Sequence, residues 1–163
     1  MEPFMRNVRN IVIGMIIGTL VVCAAGWVMM PRMMLKEYVS PYSVEQTVAK
    51  IEENAVARGW VVSGVVKMNQ SVKKHGGYDL PPLMLVNLCQ ADHAYKILQN
   101  DDTKVVSVMM PCTISVYQKA DGKAYIGTMN AGLMGKMFGG AVAEVMGNVV
   151  AKQQKQFIDF VNP

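Results

Sequence analysis

Cys89 and Cys112 are the thiols that follow the apolar start of the chain, and each stands at the edge of an apolar, β-branched run. Cys89 closes LMLVNLC and Cys112 opens CTISVYQ. Two thiols that meet in an oxidising compartment close a structural disulfide. Two that do not meet stay buried as small hydrophobes. A third chemistry follows if one of them is deprotonated. The segment from Ala91 onward reads as a helix, and the amides and dipole at its start favour a neighbouring thiolate for redox, sulfur-transfer or metal-binding work. His93 lies close by in sequence and His75 precedes Gly76-Gly77, so sulfur with imidazole would suit copper or zinc. No pair of these residues has zinc-ligand spacing, and CxxC, HExxH, GxGxxG, P-loop and GxSxG patterns are absent from the sequence. Asp101-Asp102 reads as a polar turn rather than a catalytic carboxylate pair. No catalytic constellation is recognised, and no cofactor is required by the sequence.

The chain has fifteen methionines among its 163 residues. Met29, Met30, Met33 and Met34 invite a Cu(I) reading, because thioethers select soft cations. Met109, Met110, Met134 and Met137 fall where core side chains are needed, and gap-filling is the simpler role for them. Hydrophobic residues make up 52% of the chain and charged ones 17%, which excludes disorder over most of its length. The net charge of +4 is spread out, with no cationic run longer than Lys73-Lys74, so no nucleic-acid partner is expected.

Residues 11–30, IVIGMIIGTLVVCAAGWVMM, carry no charge over twenty positions. At 1.5 Å per residue they reach roughly 30 Å, one hydrocarbon core. Trp27 can lie at headgroup level and Pro31 is expected to end the helix. The competing reading is a signal peptide with Arg6 and Arg9 as its basic region and a marginal site at Val22-Cys23-Ala24, but the apolar run continues to full spanning length. A short tail before one apolar helix usually stays inside. The expectation is a single pass in a bacterial-type inner membrane: residues 1–10 a cytoplasmic tail, 11–30 the span, 31–37 a connector, and 38–163 a periplasmic, extracytoplasmic domain. Gly14 and Gly18 form a GxxxG pair that would let two such helices approach, favouring a homodimer in the lipid bilayer.

Beyond the span, Ser43-Val44-Glu45-Gln46 is a capping-box pattern, followed by Val44, Val48, Ile51 and Ala55 at helical spacing and by Gly59 as a stop. Strands are expected at Trp60–Met68, Leu83–Cys89, Lys104–Met110, Thr113–Lys119 and Lys123–Met129. The last two are joined by Ala120-Asp121-Gly122 as a tight hairpin, and a short helix covers Ala91–Gln99. The stretch from about Asn130 to Phe160 reads as one long helix. Gly135, Gly139, Ala143 and Gly147 fall at successive i+4 positions along it, a stripe that suits close packing against the sheet or a second subunit. The alternative is a break at Gly139-Gly140. The fold class is α+β: an antiparallel sheet covered by helices, after an N-terminal transmembrane helix and with a long C-terminal helix.

Three segments together, SVEQTVAKIEENAVARGW, LPPLMLVNLCQADHAYKIL, and MMPCTISVYQKADGK with YIGTMNAGLMGKMF, resemble the family known as domain of unknown function 302. The resemblance runs from about Tyr38 to Phe138 and is most specific at the Pro-Cys step into TISVYQ. The usual Leu-Pro-Cys is here Met110-Pro111-Cys112, and Gln90-Ala91 follows Cys89 where Asn-Pro is common. The resemblance implies a compact α+β domain, often dimeric, and no settled reaction. The functional expectation is a membrane-anchored extracytoplasmic binding or accessory module. The alternative is a thiol-dependent redox, sulfur-transfer or soft-metal protein using Cys112 and Cys89, with a membrane or periplasmic redox protein as partner.

Overall fold

The structure, a computed structural model, describes residues 2–161, with side chains from Val12 onward. Arg6 and Arg9, on which part of the orientation argument rests, lie outside the described side chains, as does Pro163 at the end of the expected domain. The chain divides between Met34 and Leu35 into two units.

The first unit is helix α1, Glu2–Met34. Its stretch Val12–Met34 has a mean hydropathy of 2.3 and is long and apolar enough to cross a membrane, with side chains almost all exposed. The Thr19 hydroxyl donates to the Met15 carbonyl (2.9 Å), so the helix pairs its own polar group. Pro31 does not end this helix as expected. It lies in the last turn, where a missing N–H removes one backbone bond with little helix left to lose, and α1 runs on to Met34.

The second unit begins at once with β1 (Leu35–Val39) and continues through α2 (Val44–Val56), β2 (Val61–Lys67), α3 (Met68–Gly76), β3 (Leu83–Cys89) and α4 (Ala91–Leu98). A 3-10 segment (Asp101–Met109) leads to β4 (Cys112–Gln118), β5 (Ala124–Met129), α5 (Ala131–Phe138) and a final helix, α6, over residues 140–157. The five strands form one antiparallel sheet in the order β1-β5-β4-β3-β2. This is the α+β class read from the sequence, with the long C-terminal helix present.

Period-two alternation assigns the two faces of the sheet. Met84, Val86 and Leu88 of β3, Ile114 and Val116 of β4, and Ala124 and Ile126 of β5 are buried on one face. Helix α2 covers that face with Val44, Val48, Ile51 and Ala55, each Val or Ile contributing about 1.5–3 kcal/mol on burial. The capping box is formed as read: Gln46 N–H donates to Ser43 Oγ and Ser43 N–H to Gln46 Oε1, both at 3.2 Å. Phe157 of α6 completes the core, edge-on to Trp60 at 5.2 Å, while Asn54 Nδ2 donates to its carbonyl oxygen (3.1 Å). Every residue of this core comes after Met34.

Two sequence expectations are corrected in this unit. Lys104–Met110 is not a strand: β3 and β4 pair directly with each other, and the segment between them coils as a 3-10 turn with Thr103 Oγ1 donating to the Ile97 carbonyl. Nor is 130–160 one helix. Gly139 and Gly140 take φ of +70° and +51°, and the chain turns back so that α5 packs on α6. Gly135 packs against the backbone of Gly147, so the close approach on this stripe is between α5 and α6. Strand β1 and helix α3 were not foreseen.

Candidate functional site

The β3–β4 register sets Leu88 opposite Cys112. Cys112 therefore shares the pleat side of Leu88 and packs against the core, whereas Cys89, one residue further on and paired with Val61 of β2, starts from the opposite pleat side. The two thiols are neighbours across the end of the sheet, and both are free. Cys112 is partly buried against the core. Burial, and then the proximity of Cys89, pushes its thiol up to about 11, because a low-dielectric surround penalises the thiolate.

Gln90 caps the helix that follows β3. Its Oε1 accepts from the His93 amide (2.7 Å) and its Nε2 donates to Asp92 (3.1 Å), which fixes the first turn of α4 and brings His93 to the thiols' side of the sheet end. The imidazole meets the edge of Trp60 at 5.8 Å, and both rings converge on one acceptor. Trp60 Nε1 donates to Gln153 Oε1 at 3.2 Å, and His93 Nε2 lies 3.2 Å from the same oxygen. The indole can only donate, so it fixes which end of the Gln153 amide faces inward. His93 Nε2 must then carry the proton, and Nδ1 keeps the lone pair in the neutral ring.

These groups close on a small cleft between the sheet end, α4 and α6. Trp60, Cys89, His93, Met110, Cys112 and Met146 are among its walls, with Met110 and Cys112 flanking Pro111. The cavity measures about 20 Å3. A single water needs about 10–15 Å3 on this measure, so the closed part of the cleft has room for about one water-sized atom.

The remaining sequence candidates lie elsewhere. His75 is in the last turn of α3, exposed. Among the described residues, no three His, Cys, Asp or Glu side chains converge on a point. Gly14 and Gly18 have open space where a Cβ would stand. Gly139 makes the α5–α6 turn, and Ala143 is half-buried on α6. Sequence reasoning missed Trp60, Met110 and Met146 as walls of the cleft and Gln153 as the acceptor shared by Trp60 and His93. Met110, next to Pro-Cys, carried a signal, but Gln153 carried none.

The opposite face of the sheet holds a second feature, a trough of about 430 Å3 over Gly127, with Glu37, Thr113, Ser115, Tyr117 and Met129 around it. Lys119 Nζ lies 2.7 Å from Glu37 Oε2, and the Tyr117 hydroxyl donates to the other carboxylate oxygen. The Lys119 ammonium first, and Tyr117 second, hold the Glu37 carboxyl below its usual range. Burial, followed by the Glu37 carboxylate, pushes Tyr117 up to about 12.

A crystal structure of an uncharacterised conserved DUF302 protein from Bacillus stearothermophilus has the same fold. Its TM-score is 0.69 at 20% sequence identity, over 80% of this chain and 99% of that one. No curated protein matches this chain. The family model for the domain of unknown function DUF302 matches residues 36–161, β1 through the final turn, and the chain belongs to that family.

Proposed function

We propose that this protein is a membrane-tethered binding module, displayed outside the cytoplasm as a dimer, whose ligand site is the cleft at the end of β3 and β4. The observation that carries this reading is the cleft itself: Cys89, Cys112, His93, Met110 and Met146 are all among the walls of one small, apolar cleft. The tether is supported by α1. Its 23 residues Val12–Met34 reach about 35 Å, enough to cross roughly 30 Å of hydrocarbon. The open face at Gly14 and Gly18 supports pairing of two such helices.

Display is tested on intact spheroplasts with a Val108→Cys variant, whose site is 86% exposed. A membrane-impermeant maleimide is expected to label it without lysis, and the protein is expected to stay with membranes through carbonate washing. Labelling only after lysis, or release into the soluble fraction, would overturn the reading. Crosslinking of membranes should give a dimer that Gly14→Leu weakens.

A further inference from the structure

Resting on α1 as the tether, and not on the cleft, we propose that the 3-10 segment Asp101–Met109 is a membrane-docking surface. It seats Val105 and Val108 at the boundary of headgroups and acyl chains in the leaflet that the chain leaves at Met34. The two valines are 71% and 86% exposed. With about three residues per turn, positions i and i+3 stand one above the other, so Val105 and Val108 share one ridge of the segment. Thr103, Val106 and Met109 form another, and it faces inward. Val106 is buried, Met109 packs on the core, and the Thr103 hydroxyl donates to the Ile97 carbonyl. The segment therefore carries an apolar ridge that the core does not use.

What covers that ridge follows from connectivity. The chain leaves the apolar stretch at Met34 and enters β1 at Leu35, one peptide or about 3.8 Å between Cα atoms further on. At about 35 Å the stretch is only slightly longer than the roughly 30 Å of hydrocarbon it crosses, so β1 starts at the headgroup layer. Register carries this position across the sheet. Leu35 pairs with Met129, the last residue of β5, and β4 runs antiparallel to β5, so β4 begins at that same end. At about 4.8 Å per strand, its first residue, Cys112, is about 10 Å across the sheet from β1. The 3-10 segment reaches Cys112 through Met110-Pro111 and hangs from this end.

Other residues at this end agree. Leu35, the first residue of β1, and Val61, the first of β2, are both exposed there. Apolar side chains surrounded by water gain by entering the headgroup boundary, as the apolar face of an interfacial helix does. That boundary is hydrated, so a water-borne maleimide still reaches Val108→Cys from the side on which the domain stands.

The test uses the full-length chain in vesicles of phosphatidylethanolamine and phosphatidylglycerol that carry a phospholipid with a photoactivatable diazirine near the top of its acyl chain. After illumination and digestion, lipid adducts are expected on Val12–Met34 and on the 3-10 segment, and not on the turn at 119–123 that closes the opposite end of the sheet. This map needs no variant. Val105→Asp with Val108→Asp changes only exposed side chains, and it should keep the α1 adducts and lose those of the segment. Adducts confined to α1 in the parent, the pattern that a second copy seated on the valines would leave, would overturn the docking and leave the tether standing. Adducts on neither would overturn both, and an unchanged map in the double variant would overturn the role of the valines. The map does not depend on which side of the membrane holds the domain, so it can fail separately from the maleimide experiment.

Discussion

A Cβ added to Gly135 would lie 2.8 Å from the Cα of Gly147, and closer still to its backbone nitrogen. The reverse is not true. A Cβ on Gly147 would find its nearest neighbours, the Gly132 carbonyl oxygen and the Gly135 Cα, at 3.8 and 3.9 Å, ordinary van der Waals distances. Two glycines that look equivalent in sequence are therefore unequal in the fold. Gly135 faces backbone, which cannot swing aside.

Gly135→Ala should destabilise the domain by about 1–3 kcal/mol, the usual cost of overpacking. Gly147→Ala should be neutral or stabilise by up to about 1 kcal/mol, since it removes a helical glycine without a clash. Urea midpoints of the two variants measure the difference, and equal losses would contradict the hairpin contact.

The thiol of Cys112 makes a prediction at alkaline pH. Its value rises from an ordinary 9.0 to about 11 on folding, so the folded chain keeps a proton that the unfolded chain releases. The stabilisation is fully present below about 9 and is lost as pH climbs through 11, at most about 3 kcal/mol. The melting temperature between pH 8 and 11 should fall more steeply in the parent than in Cys112→Ala. Iodoacetamide at pH 7 should modify Cys112 more slowly than an unburied thiol. Rapid modification there would favour the thiol-dependent reading instead.

Much of this was legible wherever local pattern and tertiary need agree. SVEQ forms its capping box, Ala120-Asp121-Gly122 makes its turn with Asp121 Oδ1 accepting from the Lys123 amide (3.0 Å) and Gly122 at φ +77°, and β3, β4 and β5 follow their alternation. The failures are non-local. LKEYV is a strand because β5, some ninety positions away, pairs with it, and nothing within five residues says so. MNQSVKKHG is a helix with no side-chain cap and no buried residue, so it lacked both usual signals apart from Gly77 at its end. Lys104–Met110 has strand propensity and no strand to pair with. At the cleft the two cysteines stood out by type, but Gln153 became relevant only because two ring nitrogens reach one oxygen.

Gln153→Leu should cost about 1–3 kcal/mol, because it leaves the Trp60 and His93 N–H groups without their acceptor while keeping the side chain's bulk. Gln153→Glu retains the oxygen and should recover most of the loss. Denaturant midpoints and tryptophan fluorescence follow both. If the leucine variant is as stable as the parent, the shared acceptor is not holding the cleft wall.

The last prediction concerns the edge strand β1. Glu37 stands opposite Gly127 of β5, and the absent side chain there lets the Tyr117 ring of β4 lie across the glycine and reach the carboxylate. With Lys119 on the second oxygen, Glu37 ties β1 to β4 across the intervening strand. The carboxyl is held low in the folded state, so the tie is intact above the ordinary carboxylate range and is lost as pH falls through the depressed value. Hydrogen exchange of β1 amides should therefore accelerate in acid, after correction for intrinsic rates, and less so at high salt, where the exposed pair is already screened. Glu37→Gln cannot titrate and should show a flat profile over the same range. Matching acid profiles in the two proteins would mean that the strand is held by its backbone ladder alone.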